Sequence, residues 1–200
     1  EQGRDNGLFV TFSANWQKKA VDPTAAVAIA AGKNLYTYYG GIEAKTIDGL
    51  DFWFEGAIQT GNAANGREYG GYGLSSGADW HLRTSVPVVL GIQGDWLRGD
   101  SDTTDTKVRA FQNTWEGQQD TLIVESERYG EVSRYLQTAG TGLRAGKAKA
   151  EIGFDANSRY RLKTIYGYYL LDEARGGSDA FGQELDLVFT WQYNAAGNAV

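Results

Sequence analysis

From Tyr69 to Arg98 the chain reads YGGYGLSSGADWHLRTSVPVVLGIQGDWLR, and its polarity alternates residue by residue. Tyr72, Leu74, Ser76, Ala78, Trp80 and Leu82 share one face; Gly73, Ser75, Gly77, Asp79, His81 and Arg83 share the other. After a short turn at Thr84 to Pro87, Val88, Leu90, Ile92, Gly94 and Trp96 oppose Gly91, Gln93 and Asp95. A period of two held over about ten residues predicts two long antiparallel strands, each apolar on one side. The other side carries carboxylates, a guanidinium and an imidazole, which a dry core accepts only when they are paired. One face therefore points at something apolar and the other at water. A closed barrel with lipid outside and a wet lumen inside satisfies both at once.

The same alternation recurs along the chain. Leu8 to Gln17, Asn34 to Lys45, Leu50 to Gln59, Leu143 to Phe154, Arg159 to Leu170 and Glu184 to Tyr193 complete a set of eight predicted strands. Asp48-Gly49 is a two-residue hairpin signal, and Asn157-Ser158 marks another tight turn. The run Ala25 to Gly32 is compatible with helix, strand or a segment packed in the lumen. From Gly99 to about Gly140 no period is clear, apart from a short strand expected at Thr121 to Val124 and a helical turn at Glu125 to Arg134. A connection of that length is expected to be functional or mobile, so residues 99–138 are a candidate external gate or plug. Tight turns at one end and longer loops at the other match the asymmetry of outer-membrane barrels.

Composition bounds the function. The 27 glycines, 12 tyrosines and 6 tryptophans beside 2 prolines suit long strands with aromatic ends. A net charge of −6 argues against a nucleic-acid partner. The absence of cysteine removes disulfides, thiolate metal sites and a cysteine nucleophile. No apolar run reaches the roughly 18 residues of a transmembrane helix, and a mean hydropathy of −0.44 does not argue against a strand-built barrel. The chain begins at Glu1 with no apolar leader, as a mature, trimmed or partial chain would.

The block Asn34 to Asn62, NLYTYYGGIEAKTIDGLDFWFEGAIQTGN, resembles the alginate-export family of outer-membrane barrels. Leu143 to Tyr193, with RLKTIYGYYLLDEA and FGQELDLVFTWQY, carries the second part of the resemblance. The resemblance implies an all-β, antiparallel up-and-down transmembrane barrel in the bacterial outer membrane. It also implies an anionic polysaccharide as cargo. Members of that family close larger barrels, so the expectation is the C-terminal portion of one. An eight-stranded barrel closing alone, with a side-chain-filled interior, is the alternative.

On the polar faces, Arg83, Lys147, Lys149, Arg159, Arg161 and Lys163 form a basic set of pore-lining candidates, with Arg144 joining if its register slips. Such a ladder offers an anionic chain repeated weak contacts. Asp51, Glu55, Asp79, Asp95, Glu184 and Asp186 share those faces, as does Glu151, so the same cations also serve as cross-strand ion-pair partners. Trp16, Trp80, Trp96, Trp191, Tyr36, Tyr160 and Tyr193 fall on apolar faces near strand ends, as an aromatic girdle at headgroup depth requires.

His81 is the only histidine and, without cysteine, a poor basis for a metal site or a triad. Gly99 to Asp105, GDSDTTD, lacks the glycine and terminal glutamate of an EF-hand loop and reads as a solvated loop. No catalytic motif, cofactor or metal is expected, and paired carboxylates such as Glu184 and Asp186 recur on any polar strand face. The expected function is passive passage of a polysaccharide or small solutes, with membrane lipids, lipopolysaccharide and periplasmic export proteins as partners. The rival is a soluble β-barrel or sandwich that binds a carbohydrate or an apolar ligand. Apolar faces turned onto a core, with charges outward, would serve it equally.

Overall fold

Alternation becomes strand wherever it is sustained. The computed structural model describes residues 7–17, 34–45, 49–63, 66–112, 140–155 and 159–192. Eight long strands account for most of them: β1 (Gly7–Gln17), β2 (Leu35–Lys45), β3 (Leu50–Asn62), β5 (Tyr72–Leu82), β6 (Val88–Leu97), β8 (Leu143–Gly153), β9 (Tyr160–Leu170) and β10 (Ala180–Trp191). Two short strands, β4 (Glu68–Tyr69) and β7 (Lys107–Val108), pair with each other in parallel beside the end of β3. The described residues contain no α-helix.

The long strands hydrogen-bond in chain order, β1-β2-β3-β5-β6-β8-β9-β10, every neighbour antiparallel. This is the up-and-down meander that the sequence predicts. The sheet is not closed: β1 and β10 are its edges. The predicted strand at 121–124 and helical turn at 125–134 lie outside the described residues, as do the run 25–32 and the Asn157-Ser158 turn.

The strands are joined tightly at one end and loosely at the other. At the tight end Gly49 takes φ +78°, the left-handed conformation that the Asp48-Gly49 signal demands, and its carbonyl accepts the His81 N–H at 2.8 Å. Thr84 to Pro87 turns β5 into β6, and Phe154 N–H bonds the Tyr160 carbonyl at 2.9 Å across the third hairpin. The loose end carries the β4–β7 pair and the connections before β2, β8 and β10.

The sheet curls with its polar side inward. Gln59, on that side, is 1% exposed, whereas Leu187, on the other, is 66% exposed. Glycines make the inner curvature possible. The Trp53 ring lies over Gly77, the Tyr169 ring over Gly167, and the Tyr39 hydroxyl over Gly41. In each case a long side chain from the same or a neighbouring strand fills the volume that a Cβ would occupy.

Candidate functional site

The inner face brings together most of the residues expected to line a lumen. Gly91 of β6 sits between Asp79 of β5 and Lys149 of β8 in one hydrogen-bonded row. With no side chain there, the Lys149 ammonium reaches across the strand and donates to Asp79 Oδ2 at 2.8 Å. One row nearer the loose end, Lys147 Nζ lies 3.0 Å from Asp95 Oδ2, and Asp95 also accepts from the Ser75 hydroxyl at 2.7 Å and from Gln93 Nε2 at 3.1 Å. One row toward the tight end, Arg161 Nη1 donates to Glu151 Oε1 at 3.2 Å. Asp51 and Asp79 face each other across β3 and β5, and His81 Nε2 approaches Asp51 Oδ2 to 3.3 Å. Lys149 also stands 5.7 Å from the centre of the Trp53 ring, a cation–π contact.

Burial makes these pairs matter. The Lys147 side chain is 4% exposed, and Glu184 and Asp186 on β10 are buried although β10 is an edge strand. Long cations in such surroundings persist only when paired. A void of about 10 Å³ beside Trp53, Gly91, Gln93, Lys147, Lys149 and Ile165 leaves room for roughly one water. Across the described strands, Lys45, Lys147, Lys149, Arg161 and Lys163 face inward with Glu43, Asp51, Glu55, Asp79, Asp95, Glu151, Glu184 and Asp186. Five cations against eight carboxylates leave the interior acidic when all are ionised.

Three of the arginines stand elsewhere. Arg83 and Arg159 are exposed at the tight end, beyond the ends of β5 and β9. Arg144 points outward at the loose end, 3.6 Å from Asp172 and 3.6 Å from Asp179. The turn geometry decides this, because Arg83 and Arg159 sit just past the last paired residues and escape the inner face.

The outer face is apolar and bare. Phe12, Phe54, Ile92, Leu185, Leu187 and Phe189 are each more than half exposed. Aromatic groups gather at both of its ends. Trp191 stacks on Tyr160 at 6.3 Å near the tight end, where Trp80 is also exposed. At the loose end Trp96 meets Tyr72 edge-on at 5.1 Å and donates its indole N–H to Asp172 Oδ1 at 2.8 Å, with Tyr36 and Tyr168 exposed nearby. Trp16 is opposite Tyr36 in the β1–β2 register, which places its backbone at the loose end. Tyr193 lies outside the described residues.

The start of the long connection is ordered and tied to the sheet, which period-two reasoning missed. Gln59 of β3 donates to the Gln112 carbonyl at 2.7 Å and to Thr37 Oγ1 at 3.1 Å, while its own carbonyl accepts the Gln112 N–H at 2.7 Å. Gln59→Leu keeps the volume but strands the Gln112 amide groups, each at a cost of about 1–3 kcal/mol. Limited proteolysis is expected to begin cutting within residues 98–112 while the strand signal in circular dichroism persists.

Asp100, read in sequence as part of a solvated loop, is buried between Arg67 at 3.5 Å and Arg109 at 3.6 Å. Asp100 and Asp105 are met by the protein's own arginines and Asp102 accepts from Thr104, and no group of metal-ligating side chains occurs among the described residues.

Asp105 receives Arg109 Nη2 at 2.6 Å and the Lys107 N–H at 2.8 Å, and these bonds hold its carboxyl below the usual carboxylate range. A depressed folded value means that the contribution is complete above the unfolded value near 3.8 and is lost as pH falls through the lower folded value. Hydrogen exchange at Lys107, corrected for intrinsic rates, is therefore expected to stay protected from pH 7 down to about 4 and to open only below that. Asp105→Asn should remove this pH dependence.

No family model, no curated protein and no solved structure matches the chain, so the resemblance to alginate exporters rests on its sequence motifs alone.

Proposed function

We propose that this sheet is the wall of a bacterial outer-membrane β-barrel whose narrow, acidic interior passes small cations and polar solutes. The observation that carries the reading is the reversed polarity of the sheet. Large apolar side chains stand exposed on the outside while Lys147, Glu184 and Asp186 are buried inside. In water that arrangement would expose a continuous apolar surface, which soluble monomers avoid. In a bilayer it is the expected one. Strands of ten to thirteen residues have the length that crossing requires. Trp80 and Trp191 toward one end and Trp96 toward the other sit where headgroup-level anchors belong.

The interior bears on cargo. The side chains buried on the inner face, Lys147 at 4% exposure among them, leave a polysaccharide strand little room, and an excess of carboxylates repels a polyanion. Small cations face neither obstacle, although the Asp79–Lys149 and Asp95–Lys147 pairs must swing aside, which keeps conduction low. Two measurements test the reading. Tryptophan fluorescence should be quenched by brominated lipid after folding into vesicles, and the reversal potential in a KCl gradient should show K⁺ preferred over Cl⁻. A cooperative β fold in plain buffer with no quenching would make a soluble ligand-binding sheet the correct description. Anion preference would return the polyanionic cargo.

A further inference from the structure

The two edges of the sheet set a problem that the membrane reading makes acute. Among the described residues, β1 and β10, of 11 and 12 residues, each have a strand neighbour on one side only. Water can satisfy such groups, but hydrocarbon cannot, and open sheet edges do not occur facing lipid. We infer that β10 closes onto β1 of the same chain, antiparallel, with Thr190 opposite Ser13, to make an eight-stranded barrel. The inference rests on the membrane reading.

The stagger of the hairpins supplies the register. Lys45, Asp51, Asp79, Gly91, Lys149 and Ile165 lie on one hydrogen-bonded row across β2 to β9. The midpoint of the β2–β3 turn falls three residues beyond that row, that of β5–β6 six, and that of β8–β9 eight. The turns thus recede by five residues over four strands. With a rise of about 3.3 Å per residue and strands about 4.7 Å apart, the strands tilt by roughly 41° from the axis. Closed barrels tilt by about 35–45°.

Carried around eight strands, the same stagger accumulates to about ten residues, the shear of the closed barrel. The row enters at Gly7 on β1 and leaves at Asp186 on β10, so it returns to β1 ten residues on, at Gln17. Antiparallel pairing from there sets Val188 against Asn15 and Thr190 against Ser13. An even number of meandering strands gives β1 and β10 the opposed directions that this needs.

Two further observations point to self-closure over a wider assembly. Glu184 and Asp186 lie on an edge strand yet are only 8% and 6% exposed, so the inner face is already covered at its last strand. The inner side chains also bury one another, Lys147 to 4% and Tyr169 to 0% exposure, as in the filled interior of a barrel of about eight strands. A half of a wide pore would leave that face open to water.

The natural chain has no cysteine, so introduced pairs report without background. Ser13→Cys would be combined with Thr190→Cys, and separately with Val188→Cys, in full-length protein folded into phosphatidylcholine vesicles. Thr164→Cys with Leu187→Cys, partners in the β9–β10 register, is the control. A disulfide within one chain at Ser13–Thr190 supports closure in this register. One at Ser13–Val188 alone overturns the register. Disulfide-linked dimers only, or no cross-link where the control oxidises, overturn closure. Quenching by brominated lipid in the same samples separates the two ideas: quenching without a cross-link sinks closure alone, and its absence sinks the membrane reading.

Discussion

Lys147→Met is expected to destabilise the folded sheet by about 3–5 kcal/mol, the cost of removing one partner of a buried ion pair. Methionine fills most of the lysine volume, so the loss isolates the charge from the packing. The Asp95 carboxylate, 16% exposed, then keeps Ser75 and Gln93 but loses its cation. Pairing Lys147→Met with Asp95→Leu should recover part of the loss, because the Asp95 carboxylate no longer stands buried without its cation. Urea unfolding in vesicles or detergent, followed by tryptophan fluorescence, measures both. A single substitution that costs less than about 1 kcal/mol would show that water reaches the pair and screens it, as in a wide open pore.

Ile92→Arg is expected to cost about 2–4 kcal/mol in a bilayer, the penalty for a guanidinium on the lipid face at mid-depth. Ile92 is midway along β6, on the outer face, and 67% exposed. In water an exposed position of this kind tolerates substitution within about 0.5 kcal/mol, so the size of the effect identifies the solvent. Ser85→Arg, in the exposed turn between β5 and β6, is the matched control and should be neutral in either setting. A neutral Ile92→Arg in vesicles would mean that this face does not touch hydrocarbon.

Much of this was legible without coordinates. Alternation from Tyr72 to Leu82 and from Val88 to Trp96 assigns each side chain to a face, and the structure keeps those assignments. The Asp48-Gly49 signal places a hairpin where Gly49 takes a positive φ. Trp80, Trp96, Trp191, Tyr36 and Tyr160, read on apolar faces near strand ends, are exposed. These features are local: period two and turn chemistry act over a few residues and need no knowledge of distant neighbours.

What escaped was what depends on pairing register and on chain return. That Lys149 meets Asp79, 70 positions away, follows only when Gly91 is seen between them. The same holds for Trp53 over Gly77 and Tyr169 over Gly167, since period two gives the face but not the opposite residue. The β4–β7 pair and the Gln59–Gln112 clamp join segments with no apolar period, through backbone groups that every residue carries.

The sequence alone therefore determined strand, face and turn, because these follow from the side chain's own polarity and the backbone's local freedom. Only the tertiary structure decided which charges neutralise one another and which residues cap the loose end. Those outcomes turn on register, where a shift of two residues preserves every face and changes every partner.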